Sequence, residues 1–195
     1  MSKNIAKIIS TVISPLVILA LLPFLLLYKS SSNFQISIFW EVISLIFLGS
    51  FSIFVIAAVK LKYFSDLDVS NRKQRPALFS VGLFITALYI ITVYFLNGPK
   101  ILMIVTFGLV LGLWIAEIIN QKFKLSIHVA AITGFVSFLV LAHGPQYIGA
   151  YLLVPLVAWA RIKTRNHSLS QTIAGAVFSL LLTLIIYIIF NVSYG

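Results

Sequence analysis

The chain has 195 residues, of which 61% are hydrophobic and 9% are charged, and its mean hydropathy is +1.11. A soluble domain carries roughly 25% charged residues, so this composition excludes an ordinary soluble domain and predicts an all-α integral membrane protein. The net charge of +10 does not indicate nucleic-acid binding, because the basic residues lie in short gaps between apolar stretches. The chain has no cysteine, which excludes disulfides, thiol nucleophiles and thiolate metal sites.

Seven apolar stretches approach the length of about 20 residues that a membrane-spanning helix needs. In chain order they are residues 8–28, 37–59, 77–96, 101–119, 127–142, 147–160 and 172–190. The fifth and sixth stretches are short, and the sixth contains Pro155. These two stretches are tilted, partly re-entrant, or extended into flanking polar residues. We predict a single transmembrane domain, residues 1–195, built as a bundle of six to seven helices.

The basic residues predict the orientation of these helices. The N-terminus and the loops after the second, fourth and sixth stretches share one side of the membrane. That side holds twelve of the Lys and Arg residues, namely Lys3, Lys7, Lys60, Lys62, Arg72, Lys73, Arg75, Lys122, Lys124, Arg161, Lys163 and Arg165. The other side holds only Lys29 and Lys100. Because cytoplasmic loops carry an excess of positive residues, we predict a multi-pass protein of the cell membrane with a cytoplasmic N-terminus.

Polar residues able to do chemistry gather on the basic side in three segments, residues 65–76, 122–128 and 161–171. Each segment lies at a membrane edge and follows an even-numbered apolar stretch. We therefore expect the three segments to converge in one pocket.

Five side chains in these segments are typical of a phosphoryl-transfer site. Arg75 and Arg161 are permanent cations whose planar guanidinium groups suit phosphate oxygens. Ser126 adds a hydroxyl donor. His128 and His167 are able to exchange a proton or attack phosphorus near neutral pH. A loose transition state needs such cations around its equatorial oxygens, with a nucleophile and an acid in line.

The helix predicted after His167 supports this hypothesis. His167, Gln171 and Gly175 are spaced four residues apart and share one helix face. On that face Gln171 can hydrogen-bond the His167 ring and select its tautomer, and Gly175 allows another helix to approach closely.

These residues resemble the motifs of the type 2 phosphatidic acid phosphatase superfamily, whose fold also occurs in vanadium haloperoxidases. The family motifs are Lys-x6-Arg-Pro, Pro-Ser-Gly-His and Ser-Arg-x5-His-x3-Asp. The matching residues here are Arg75-Pro76, Ser126-Ile127-His128 and Arg161-x5-His167-x3-Gln171. The three matches occur in the family's order, and the resemblance covers about residues 60–178.

The resemblance implies a role for each matched residue. His167 would form a phosphohistidine, with Gln171 in the position of the residue that orients it, and His128 would protonate the leaving alkoxide. Arg75, Arg161 and Ser126 would bind the phosphate.

The sequence departs from the family pattern at several positions. Asp68 stands where the first motif has Lys, so Lys73 or Lys62 would have to replace that cation. Leu125, Ile127 and Ala160 replace the Pro, Gly and Ser of the other motifs. Gln171 replaces an Asp, and a neutral amide stabilises an imidazolium less than a carboxylate does. The family's site also often faces outward, whereas the charge distribution here predicts an inward-facing site.

The predicted function is hydrolysis of a lipid phosphate such as phosphatidic acid, phosphatidylglycerol phosphate or an isoprenyl pyrophosphate. This chemistry requires neither a metal nor another cofactor, and the partners expected are the substrate and membrane lipids. A relative that binds anionic lipid without hydrolysing it is one alternative. A membrane prenyltransferase is another, suggested by Asp66-x-Asp68, although its second aspartate-rich loop is missing. The sequence predicts neither the oligomeric state nor the particular lipid.

Structural roles compete with these assignments. Every Lys and Arg named above also fits a membrane-edge anchor. Asp66 and Asp68 fit either ion pairs with Arg72 or Lys73 or auxiliary roles beside the phosphate. For Glu41 and Glu117, each near the end of an apolar stretch, we favour a role as a structural partner.

Overall fold

In the computed structural model, which describes residues 2–31 and 33–190, every regular element is a helix. The α-helices are α1 Lys3–Val12, α2 Pro15–Ser31, α3 Phe34–Lys60, α4 Arg75–Phe95, α5 Lys100–Lys122, α6 Ile127–His143, α7 Leu153–Lys163 and α8 Leu169–Phe190. Two 3₁₀ helices cover Arg72–Gln74 and Pro145–Leu152. The prediction of an all-α protein is confirmed.

Within the described residues, five helical segments are long and apolar enough to cross a membrane. They are Lys3–Tyr28, Phe34–Lys60, Arg72–Phe95, Lys100–Lys122 and Leu169–Phe190. Helix α6 is apolar but has only 17 residues. The predicted count of six to seven spanning helices is therefore not confirmed.

The predicted sixth stretch, residues 147–160, is not one spanning helix. Gly144 ends α6 at a φ of 101°, a conformation that favours glycine. Pro145 then begins a 3₁₀ helix that runs to Leu152, and the following α7 has only 11 residues. A hydropathy count cannot detect this division, because the 3₁₀ helix and α7 are both apolar.

The predicted first stretch, residues 8–28, begins earlier than expected and is interrupted. Helix α1 begins at Lys3 and ends at Val12, and Ser14 then caps a second helix through a 3.4 Å hydrogen bond from Val17 N to Ser14 Oγ. Pro15 takes the first position of α2, where its missing N–H costs no helical hydrogen bond.

The chain forms two compact units, which we call the terminal unit and the middle unit. The terminal unit comprises residues up to Leu19 and from Phe123 onward, and the middle unit is Ala20–Lys122. In the terminal unit α6 packs against α7 and α8, and α1 packs against α7. Its core is formed by Ile18, Val129, Ile132, Val136 and Val157.

Two glycines allow close packing of α6 and the turn before it against α8. A Cβ on Gly134 would lie 2.6 Å from Ser179 Oγ, and a Cβ on Gly175 would lie 2.7 Å from the carbonyl oxygen of Ser126. The close approach expected at Gly175 is therefore present, and its partner is the Ser126 backbone. A larger residue at Gly175 would separate two segments that carry predicted site residues.

In the middle unit α4 packs against both α3 and α5. Pro23 interrupts the hydrogen-bond ladder of α2, because proline has no N–H. Glu41 of α3 accepts a 3.0 Å hydrogen bond from the next amide, Phe24 N. The structural role favoured for Glu41 is confirmed, since its carboxylate satisfies a backbone amide in an apolar helix.

Candidate functional site

Two of the three predicted segments meet in the terminal unit. The backbone N–H of Ser126, immediately before α6, donates a 3.2 Å hydrogen bond to the carbonyl oxygen of Gln171 in the first turn of α8. Lys124 Nζ donates a 3.0 Å hydrogen bond to the carbonyl oxygen of Asn166. Both contacts join segment 122–128 to segment 161–171. These two segments contain the predicted site residues Ser126, His128, Arg161, His167 and Gln171.

A tight turn places His167 beside the end of α7. The backbone N–H groups of Asn166 and His167 donate to the carbonyl oxygen of Arg161, at 3.1 and 3.3 Å. Arg165 adopts a φ of 61°, the left-handed conformation that commonly ends a helix. The arginine and histidine of the third motif are therefore linked through the backbone over a short loop.

Gln171 selects the tautomer of His167. Its Oε1 atom lies 3.0 Å from His167 Nδ1 and also accepts a 3.3 Å hydrogen bond from the backbone N–H of Ser168. A backbone N–H needs an acceptor, so the Gln171 atom facing Ser168 N–H is the side-chain oxygen and not the NH₂ group. An oxygen only accepts, so the hydrogen bond to His167 requires a proton on Nδ1. The neutral ring then has its lone pair on Nε2. His167 is 7% exposed, so the ring is held inside the protein.

Arg161 is a buried cation, with 3% of its surface exposed. Its Nη1 atom donates a 2.7 Å hydrogen bond to Ser10 Oγ, which lies on the buried face of α1 with Ala6. A buried guanidinium is costly unless it is well hydrogen-bonded or paired with an anion. Ser10 was not among the residues predicted from the sequence, where its only signal is the spacing of Ala6 and Ser10, two small residues on one helix face.

Ser126 has a buried hydroxyl that does not cap its helix. Serine before the first residue of a helix usually accepts a hydrogen bond from the first turn, but Ser126 Oγ makes no such bond. The residue is 0% exposed, and its Oγ has no hydrogen-bond partner among the residues that the structure describes. Leaving a buried hydroxyl unsatisfied costs about 1–3 kcal/mol.

His128 is the second residue of α6 and is half-buried. The first turn of a helix has free backbone N–H groups and carries the positive end of the helix dipole. An anion beside Ser126 and His128 would therefore meet a favourable field as well as hydrogen-bond donors.

The remaining predicted residues belong to the middle unit. Arg75 begins α4, is 4% exposed, and donates from Nε to the carbonyl oxygen of Val69 at 3.2 Å. Its Nη1 atom donates to Asn120 Oδ1 at 3.0 Å. These contacts tie the loop before α4 to the end of α5, which gives Arg75 a structural role. Asn120 was not identified from the sequence.

The two acidic candidates lie in that loop. Asp66 accepts hydrogen bonds from Ser65 Oγ at 2.9 Å and from Ser70 Oγ at 3.1 Å, and the Ser70 backbone N–H also points to it. Its oxygens therefore organise the loop. Asp68 and Lys73 are exposed. Among the described residues, no group of three His, Asp or Glu side chains is arranged to hold a metal ion.

Comparison of the chain with protein-family models, with curated proteins and with solved structures gives no match.

Proposed function

We propose that this protein is a membrane lipid phosphatase that hydrolyses a phosphomonoester or pyrophosphate of a lipid through a phosphohistidine on His167. The observation that carries the proposal is the pair of hydrogen bonds to Gln171 Oε1, from the His167 ring and from the Ser168 backbone. Together they favour a proton on Nδ1, and a neutral ring with that proton has its lone pair on Nε2, which is the form of imidazole that attacks phosphorus. The motif resemblance to the type 2 phosphatidic acid phosphatase superfamily points to the same residue.

The reaction has two steps. In the first, Nε2 of His167 forms a bond to phosphorus while the bond from phosphorus to the lipid oxygen breaks. The lipid oxygen takes a proton from protonated His128. In the second step, water attacks phosphorus, His128 takes the proton of that water, and the bond between phosphorus and Nε2 breaks. Inorganic phosphate leaves, and both histidines return to their starting forms.

Arg161 and Ser126 fit the binding of the transferred phosphate. Arg161 is buried, and its backbone carbonyl accepts the hydrogen bonds of the turn that carries His167. Its charge therefore acts in a medium with little water to screen it. The Ser126 hydroxyl is buried without a protein partner among the described residues. Preorganised donors of this kind stabilise the charge on the equatorial oxygens in the transition state.

Gln171 makes this a slower enzyme than one with a carboxylate at the same position. A neutral amide orients the ring but gives little stabilisation to the positive charge that develops on the imidazole as the bond to phosphorus forms. We expect Gln171→Leu, which keeps the size but removes the acceptor, to lower phosphate release by a factor of 10²–10⁴.

The substrate would enter from the bilayer. The chain contains long apolar helices suited to a membrane, and the candidate residues lie at or next to helix ends. A headgroup at the membrane edge would reach such positions. Phosphatidic acid, phosphatidylglycerol phosphate and isoprenyl pyrophosphates all combine an apolar tail with a terminal phosphate.

The proposal is tested by incubating the purified protein in mixed micelles with each of these lipids and measuring release of inorganic phosphate. Wild-type protein should release phosphate, and His167→Ala should release none. With a ³²P-labelled substrate, the wild-type protein should also form an acid-labile, base-stable phosphoprotein, which His167→Ala should not form.

His143→Ala provides a matched control, because His143 is the last residue of α6 and His128 is the second residue of the same helix. At 1.5 Å per residue the two histidines are separated by about 22 Å along α6, so the control should keep wild-type activity. Equal release by wild-type and His167→Ala would contradict the proposal. Binding of vanadate or phosphate without turnover would instead support the lipid-binding relative, and magnesium-dependent prenyl transfer would support the prenyltransferase.

A further inference from the structure

An apolar groove lies on the terminal unit, on the opposite side of α7 from Arg161. It has a volume of about 330 Å³ and is lined by Pro155, Ala158, Trp159, Ile162, Lys163 and Leu169. Residues 155, 159 and 162 recur at helical spacing and form one face of α7. The buried residues of α7 are Val157, Ala160 and Arg161, which form the other face.

The groove has one charged end. Pro155 to Ile162 follow α7 for about 10 Å of apolar surface, and Lys163 is the last residue of the helix. Lys163 is exposed, and the polar residues of the loop to α8 follow it. Leu169, across that loop, begins α8, so the positive end of the α8 dipole lies at the same end of the groove.

This arrangement matches an anionic phospholipid in charge and in polarity. The apolar side chains along α7 can contact an acyl chain, and the lysine at the end of α7 can pair with the phosphate of the same lipid. A lysine at that position extends its aliphatic part along the apolar surface and places its ammonium group at the depth of the headgroups. A zwitterionic lipid offers the same chain with a weaker net attraction to the ammonium group.

We propose that this groove binds one acyl chain of an anionic phospholipid, with the lipid phosphate on Lys163, as a site separate from the one that contains His167. The site is an accessory lipid site on the outer face of α7. It does not depend on phosphatase activity, because none of its six lining residues belongs to the predicted catalytic group.

Trp159 allows the groove to be observed directly. The chain has three tryptophans, Trp40, Trp114 and Trp159. A Trp40→Phe, Trp114→Phe variant therefore leaves Trp159 as the sole tryptophan. This variant is reconstituted into vesicles of phosphatidylcholine and phosphatidylglycerol, in which the acyl chains of one lipid at a time are brominated. Bromine quenches tryptophan fluorescence on contact, so quenching reports which lipid occupies the groove.

We expect brominated phosphatidylglycerol to compete for the groove about fivefold better than brominated phosphatidylcholine, which is the effect of one lysine near an anionic lipid. Lys163→Gln should reduce this preference to one, and Lys163→Arg should retain it. Lys60→Gln is the matched control, because Lys60 is also the last residue of an apolar helix. It should leave the preference at Trp159 unchanged.

Equal quenching by the two brominated lipids in the single-tryptophan protein would overturn the proposal, and so would a preference that survives Lys163→Gln. Loss of the preference in His167→Ala would place the lipid in the catalytic group instead and would also overturn it. Native mass spectrometry provides a second measurement that keeps all three tryptophans. Retention of phosphatidylglycerol should be weaker for Lys163→Gln than for wild type, and equal retention would overturn the proposal.

Discussion

Gly175→Ala tests the packing that brings the two halves of the candidate site together. A Cβ at position 175 would lie 2.7 Å from the carbonyl oxygen of Ser126, whereas ordinary contact begins at 3.4 Å. The neighbour is backbone, so no side-chain rotation relieves the clash. Helix α8 and the Ser126 turn must separate by about 0.7 Å to restore an ordinary contact.

This separation also breaks a hydrogen bond. The Ser126 N–H to Gln171 carbonyl distance is 3.2 Å, already at the long end of the normal range, and a further 0.7 Å would abolish the bond. Overpacking of this kind costs about 1–3 kcal/mol. The better helix propensity of alanine offsets up to about 1 kcal/mol. The lost backbone hydrogen bond adds about 1 kcal/mol, so we expect a net loss of about 2 kcal/mol in the free energy of unfolding.

The assay is thermal unfolding of purified protein in detergent, compared with Gly49→Ala. Gly49 lies in α3, and a Cβ there meets no described atom within 4 Å, so this control should be neutral or slightly stabilising. Gly175→Ala should lower the Tm and also lower phosphate release, since Ser126 moves. A Gly175→Ala protein as stable as Gly49→Ala would refute the close contact on which this reasoning depends.

Three further substitutions test individual residues. Ser126→Ala should raise the Tm, because it removes a buried hydroxyl without a described partner, which destabilises the folded protein by about 1–3 kcal/mol, yet it should weaken vanadate binding. A lower Tm would show that the hydroxyl is satisfied within the protein. Glu41→Leu should lower the free energy of unfolding by about 1–3 kcal/mol, because it removes the acceptor of the Phe24 N–H. Glu41→Gln keeps an acceptor and should stay near wild type, so similar unfolding curves for the two variants would exclude a role for Glu41 as that acceptor. Lys62→Gly should stabilise the protein by about 1 kcal/mol, since exposed Lys62 has a φ of 63° that glycine adopts without strain, and chemical denaturation should show no gain if that conformation is absent.

The membrane class and most helices follow from the sequence, because lipid offers backbone groups no hydrogen-bond partner and an apolar stretch of sufficient length must therefore be helical. The hydrogen bond between His167 and Gln171 was predicted and is present, but the two residues do not share a helix face as predicted, because His167 lies in the loop before α8. The contact forms at the start of α8 instead. There Ser168 Oγ accepts a hydrogen bond from Gln171 N–H and Gln171 Oε1 accepts one from Ser168 N–H, which holds the Gln171 amide beside the His167 ring. This contact is local in the sequence. It does not establish the roles of the two residues in catalysis, which remain a prediction.

Only the tertiary structure decided the contacts between residues far apart in the chain. Arg161 with Ser10, Arg75 with Asn120, and Glu41 with Phe24 join different helices. Most of these helices are apolar around their whole circumference, so the sequence pattern does not indicate which side meets a neighbour. The division of the sixth apolar stretch also became clear only from the structure. Its 3₁₀ helix and short α-helix are both apolar, so hydropathy does not distinguish them from one continuous helix. Hydropathy reports where a chain avoids water, whereas packing determines which of its polar groups meet.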